Sequence, residues 1–161
     1  MISFDAGQHR FNFRAAAVIL RDGFVLLHRV EGDAFWCLPG GRVEPGESAA
    51  DAMVREMQEE LGVQVSAGPL LWVVENFFSH ASQQHHELGL YFLAQPPPDS
   101  VLLSAPGPYT SSEGELRLTF DWFECSRLGE VDLRPVFLVD ALTSLPHVFQ
   151  HVIQRGAEPV Q

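Results

Sequence analysis

Apolar positions along this chain follow two rhythms, one of period two and one close to 3.6, and they divide it into elements. From His9 the run RFNFRAAAVIL reads as a strand, Asp22-Gly23 as a tight turn, and FVLLHRV as the returning strand of a hairpin. Residues 69–78 and 87–94 read as two further strands joined by a polar loop over 79–86, and 116–125 reads as another. Between them, residues 95–114 (QPPPDSVLLSAPGPYTSSEG) read as a long loop of the kind that carries specificity. PVFLVDALTSL and PHVFQHVIQRG each open on Pro and show helical spacing, which predicts two short helices with His147 and His151 on one helix face. The first eight residues carry little pattern and read as a loose arm or an edge addition.

The period-3.6 rhythm is clearest over residues 48–61. Pro45-Gly46 breaks what precedes, Ser48 is placed to cap, Asp51 lies in the first turn, and Gly62 follows the last apolar residue. The spacing predicts an apolar stripe of Ala50, Met53, Val54, Met57 and Leu61, with Glu56, Glu59 and Glu60 on the sector beside it. Like charges at i, i+3 and i+4 repel, and the helix dipole disfavours anions at this end. A hard divalent cation removes that conflict, because Mg²⁺ takes oxygen ligands and is commonly held by carboxylates together with substrate phosphates. A solvated acidic helix end is the alternative.

The wider spacing separates these two readings. Gly41, five residues, Glu47, seven residues, then Arg55-Glu56-Met57, Glu59-Glu60, Gly62 and Val63 resembles the Nudix box, with Met57 at an aliphatic position. Trp36, Leu38, Pro39 and Gly40, within WCLPGG, resemble its usual lead-in. The resemblance implies one Nudix hydrolase domain over 1–161, with its box at 41–63. The implied fold is α/β, an α/β/α sandwich with a mixed β-sheet core flanked by helices.

The resemblance also implies roles. Glu56, Glu59 and Glu60 would hold Mg²⁺, with Mn²⁺ as substitute, and the backbone carbonyl of Gly40 would complete part of the shell. Glu47 would pair with Arg55, holding loop against helix, and Glu59 or a later carboxylate, Glu113 or Glu115, would serve as ligand or base. Arg29 and Arg42 flank the site in sequence and are candidates for substrate phosphate. Phe77 and Phe78 point to opposite faces of one strand, so one can line the substrate pocket with Trp36 or a loop histidine; Phe78 is the residue assigned. Glu75 and Glu87 are acids inside apolar strands and face either the site or solvent.

Composition narrows the function. With 161 residues, 46% hydrophobic, the chain can build a core without disulfides. Cys37 and Cys125 stand alone, without zinc spacing, and read as small buried hydrophobes. His80, His85 and His86 suggest a zinc site, but hard-metal phosphate chemistry does not need imidazole, and nucleotide or ribose contact or a solvated loop suits them better. A net charge of −11, with every basic residue an Arg, disfavours a nucleic-acid polymer as partner. No apolar run reaches membrane length, so no membrane association and a cytoplasmic location are expected. A homodimer stays open.

These features imply Mg²⁺-dependent cleavage of a phosphoanhydride in a nucleoside diphosphate linked to another moiety. The non-enzyme alternative is a Nudix-fold nucleotide sensor, against which the intact acidic set speaks. In Nudix subfamilies a Pro about 15 residues past the box marks ADP-ribose and a Tyr slightly later marks dinucleoside polyphosphates. Here those positions hold Phe77, Phe78, Ser79 and His80, and the SQPWPFPxS array of NADH enzymes is absent. Nucleoside triphosphates, nucleotide sugars and other small diphosphates remain.

Overall fold

Five consecutive residues, Ala15 to Ile19, set the layering. All are at most 1% exposed in the computed structural model, which describes residues 1–156. Successive side chains on a strand point to opposite faces, and these five divide accordingly: Ala15, Ala17 and Ile19 enter one apolar cluster, Ala16 and Val18 another. The first cluster takes Ala49, Ala52, Met53 and Met57 from helix α1 (Ala49–Leu61). The second takes Leu128 from a 3₁₀ turn and Leu138 from the short helix α3 (Leu138–Ala141). A sheet covered on both faces by helical elements is the α/β/α arrangement.

The main sheet is mixed, in the order β1-β2-β7-β6-β10. Its strands are β1 (Ser3–Ala6), β2 (His9–Val18), β6 (Ser66–His80), β7 (Gln83–Gln95) and β10 (Gln150–Arg155), with short β5 (Gly40–Arg42) also paired to β2. The β2–β7 and β6–β10 pairs are parallel; the others are antiparallel. A second, antiparallel sheet holds β3 (Leu20–Arg21), β4 (Phe24–Val30), β9 (Leu116–Glu124) and β8 (Tyr109–Glu113) in the order β3-β4-β9-β8.

Several expected elements differ. Asp22 and Gly23 form the tight turn with φ of 50° and 82°, but only Leu20 and Arg21 return against β4, because the chain changes sheets at Ile19. The polar loop expected over 79–86 shrinks to Ala81-Ser82, at φ 49° and 63°. The strands run through to His80↔Gln83, held by the cross-strand pairs Phe77↔His86 and Phe78↔His85.

The long loop over 95–114 contains helix α2 (Val101–Ser104), capped by Ser100 and anchored by buried Leu102, and then strand β8. Arg21 donates to the Leu102 carbonyl at 2.6 Å, and the Tyr109 hydroxyl to that of Ala105 at 2.6 Å. Of the two helices expected near the C-terminus, the first is reduced to α3 and the second is strand β10. Over so short a run helical and alternating spacings are hard to separate, and the open edge of β6 supplies the hydrogen bonds. His151 therefore lies on a strand, 2.7 Å from Glu75, while His147 is exposed in the preceding loop.

Candidate active site

Helix α1 begins where its cap requires. The Ser48 hydroxyl accepts from the Asp51 amide at 3.1 Å, and the Gly62 amide, at φ 66°, donates to the Gln58 carbonyl at 3.0 Å. Its buried stripe is Ala49, Ala52, Met53, Glu56, Met57 and Glu60. The stripe is thus rotated from the expected one, and Glu56 and Glu60 lie within the buried face instead of beside it. Both carboxyls are nearly closed off, at 8% and 6% exposure, whereas Glu59 is exposed.

Arg55 organises the acids. Its Nε and Nη2 donate to the two Glu47 oxygens at 2.8 and 3.0 Å, and Nη2 also reaches the Arg42 carbonyl at 3.1 Å. Its Nη1 donates to Glu56 at 2.8 Å and Glu59 at 3.1 Å. This fork ties the loop at Arg42 and Glu47 to the helix, and it holds the Glu47 carboxyl below the usual range. Gly41 is required by the same packing, since a Cβ there would overlap the Glu56 carboxylate. Gly40, at φ 151°, lies so close to the backbone of Ala15 that a side chain would collide with it.

Glu60 is the outlier. Its Oε2 is buried with no hydrogen-bond partner among the described residues. Burial pushes its pKa up to about 8; Arg14 opposes the shift, while Glu56, Glu113 and Glu59 add to it. Burial also raises Glu56, against the pull of Arg55. Glu113, at the end of β8, thus bears on both box carboxyls; Glu115 sits beyond it in the β8–β9 turn.

The acidic set suits a hard cation chemically: an unpartnered buried oxygen on Glu60 and carboxylates from Glu56 and Glu59 are oxygen donors. No group of three His, Cys, Asp or Glu is arranged as a ready cage among the described residues. At the box the reason is visible, because Arg55 engages Glu56 and Glu59 while Glu60 stands apart.

A cavity of about 530 Å³ opens on the face of the main sheet opposite α1, lined by Phe35, Cys37, Phe78, Asn76 and Glu87 among others. Phe78 lies in its wall, stacked on His85 at 4.8 Å and 3°. Trp36 does not: neighbours on an extended segment alternate, so Phe35 and Cys37 face the cavity while Trp36 packs on Phe123 at 4.7 Å. Arg29 lies over the Trp36 ring at 4.6 Å, also away from the cavity. Arg42 is nearer, its charge acting on Glu87 and His85. Glu75 pairs with His151 instead. The three loop histidines are members of an aromatic ladder: His80 meets Phe35, His85 meets Phe78 and His86 meets Phe77. Both cysteines are free and only partly covered, and burial raises Cys37 to about 11.

Sequence reasoning missed Arg14 and Asn76. Arg14 lines the cavity, donates to the Leu38 carbonyl at 3.0 Å, and acts electrostatically on both Glu60 and Glu87. The signal was an Arg between Phe13 and Ala15 on a strand otherwise apolar on that stretch. Asn76, in the same way, interrupts the apolar run of β6.

The NUDIX domain model matches residues 11–138, and the chain belongs to that family. A CTP pyrophosphohydrolase of Escherichia coli (strain K12) is 44% identical over 57 residues, 33% of this chain and 42% of that protein. A bis(5′-nucleosyl)-tetraphosphatase [asymmetrical] of Mus musculus is 32% identical over 75 residues, 45% of this chain and 49% of that protein. The matches therefore span less than half the length of these relatives. Among solved structures, a MutT NUDIX hydrolase from Burkholderia pseudomallei is similar at 27% identity and a TM-score of 0.53, covering 71% of this chain and 84% of that one.

Proposed function

We propose that this protein is a Mg²⁺-dependent pyrophosphohydrolase that cleaves a phosphoanhydride bond in a nucleoside diphosphate linked to another moiety. The observation that carries this is Glu60: a carboxyl buried without a partner, beside Glu56 and within reach of the charges of Glu59 and Glu113. Such an arrangement is unfavourable for an empty acidic helix face, and it suits one that takes a cation. The activities for which the two relatives are named, on CTP and on a bis(5′-nucleosyl) tetraphosphate, are of the same chemical kind.

Glu56, Glu59 and Glu60 would hold the ion, with the Gly40 carbonyl as a further oxygen donor. A bound Mg²⁺ supplies charge neutralisation at the phosphates and acidifies a coordinated water. Arg55 keeps Glu56 and Glu59 oriented and ties them through Glu47 to the loop. Glu113 is the remaining carboxylate near Glu60, and we assign it to receive the proton of the attacking water. Arg14, which acts on both Glu60 and Glu87, and Arg42, which acts on Glu87, would meet the phosphates.

Pyrophosphate and phosphate release should be measured across nucleoside triphosphates, nucleotide sugars and dinucleoside polyphosphates. Turnover with Mg²⁺ or Mn²⁺ that disappears in excess EDTA, and falls by several orders of magnitude in Glu60→Gln, is the expected result. Full turnover in EDTA, or a near-normal rate for the variant, contradicts the assignment.

A further inference from the structure

Strand register lines up a row of polar side chains on the cavity face of the main sheet, of which Glu87, Asn76 and Gln154 line the cavity. Asn12 of β2 is paired with Glu87 of β7, Glu87 with Asn76 of β6, and Asn76 with Gln154 of β10. On one side of this row lies the Phe78–His85 stack; on the other lie Arg14, Gly89 and Val74. Two members of the row are already engaged. Asn12 accepts from the Ser3 hydroxyl at 2.7 Å and meets His85 Nδ1 at 3.3 Å. Gln154 accepts from the Phe137 amide at 3.0 Å and donates to the Arg155 carbonyl at 3.2 Å. Among the described residues that leaves Glu87 and Asn76, which meet each other and line the cavity.

The surroundings say what such a pair would meet. Phe35, with Arg134 over its ring at 4.8 Å, and Phe78, stacked on His85, give the cavity aromatic walls suited to a planar group, and the volume fits one of nucleoside size. An acid on the floor repels a phosphate tail, so the uncharged end of the substrate belongs here. Glu87 is buried enough to be raised above the usual carboxylate range, with Arg14, Arg42 and the Asn76 amide opposing. In either protonation state it keeps an oxygen that accepts an N–H, and Asn76 can both accept and donate.

We infer that Glu87 and Asn76 read the hydrogen-bonding edge of a nucleobase held between Phe35 and Phe78, and that Glu87 is the main determinant of which base is accepted. This rests on the reading of the substrate as a nucleotide. Unlike the box carboxylates, Glu87 has no part in the hydrolysis itself: it discriminates because its carboxyl, facing the cavity, gains a hydrogen bond only when the right edge is presented.

The test is a binding measurement, so that it does not depend on turnover. Calorimetric titration of the full chain in EDTA with GMP, AMP, CMP, UMP and base-free ribose 5-phosphate is compared for wild type, Glu87→Gln and Glu87→Leu. Wild type should separate the best from the worst base by at least about tenfold and bind ribose 5-phosphate more weakly than its preferred nucleotide. Glu87→Leu should collapse the spread to within about threefold, and Glu87→Gln, of nearly constant shape, should reorder the bases. Ribose 5-phosphate should bind all three proteins alike. An absent spread in wild type, or an unchanged ranking and spread in Glu87→Gln, overturns the inference. Selective binding with no hydrolysis of any nucleotide would instead remove the pyrophosphohydrolase reading and leave this one standing.

Discussion

Glu60 concentrates the electrostatic conflict of the molecule, and that conflict is measurable as a pH dependence. Its pKa rises from an ordinary 4.5 to about 8 on folding, so the folded state binds the proton more tightly than the unfolded one. In metal-free protein its contribution to stability is therefore greatest below pH 4.5 and is lost as pH rises toward 8. The loss is of the order of a few kcal/mol. Urea unfolding in EDTA at pH 5 and pH 8 should show wild type weakening markedly and Glu60→Gln weakening much less. A residual slope from Glu56, which is shifted in the same direction, should remain in the variant. Equal slopes for both proteins would show that Glu60 is not the strained group. Gly41→Ala should also lose activity with its far-UV spectrum intact, because the methyl displaces the Glu56 carboxylate.

Among the elements, helix α1 was the most legible, since Ser48 and Gly62 mark its ends and the box spacing marks its acids. What could not be read was its rotation. Taking Glu56 and Glu60 as flanking a purely apolar stripe hides the fact that Ala49, Ala52, Met53, Glu56, Met57 and Glu60 form one continuous buried face. Strand β10 was misread because a six-residue run such as QHVIQR fits both periods, and only its position beside β6 decides. Trp36 was assigned to the pocket for its type, whereas the extended backbone at 35–37 turns Phe35 inward instead. The β6–β7 hairpin allows a direct comparison. Phe78→Ala should raise KM for nucleotide severalfold at nearly unchanged Tm, because its ring lines the cavity. Phe77→Ala should lower Tm by several degrees with little effect on KM, because its ring packs on His86 and under Arg155. If Phe78→Ala leaves KM unchanged, the wall of the cavity does not contact substrate.

For the whole molecule, the layered α/β architecture follows from the double-sided burial of β2, and it separates two tasks. Helix α1 carries the acids on one side of the main sheet, the cavity opens on the other, and Arg14 acts on carboxyls belonging to both. A net charge of −11 surrounds Arg14 with a field that repels anions. No described helix is long and apolar enough to cross a membrane. The claim on which the rest depends is that the box carboxylates, with Glu60 at their centre, bind a divalent ion. Titration of Mn²⁺ followed by electron paramagnetic resonance, on wild type and Glu60→Gln without substrate, tests it directly. The prediction is a site that Mg²⁺ displaces and that weakens at least about tenfold in the variant; equal Mn²⁺ affinity in the two proteins, or no binding in wild type, would contradict it.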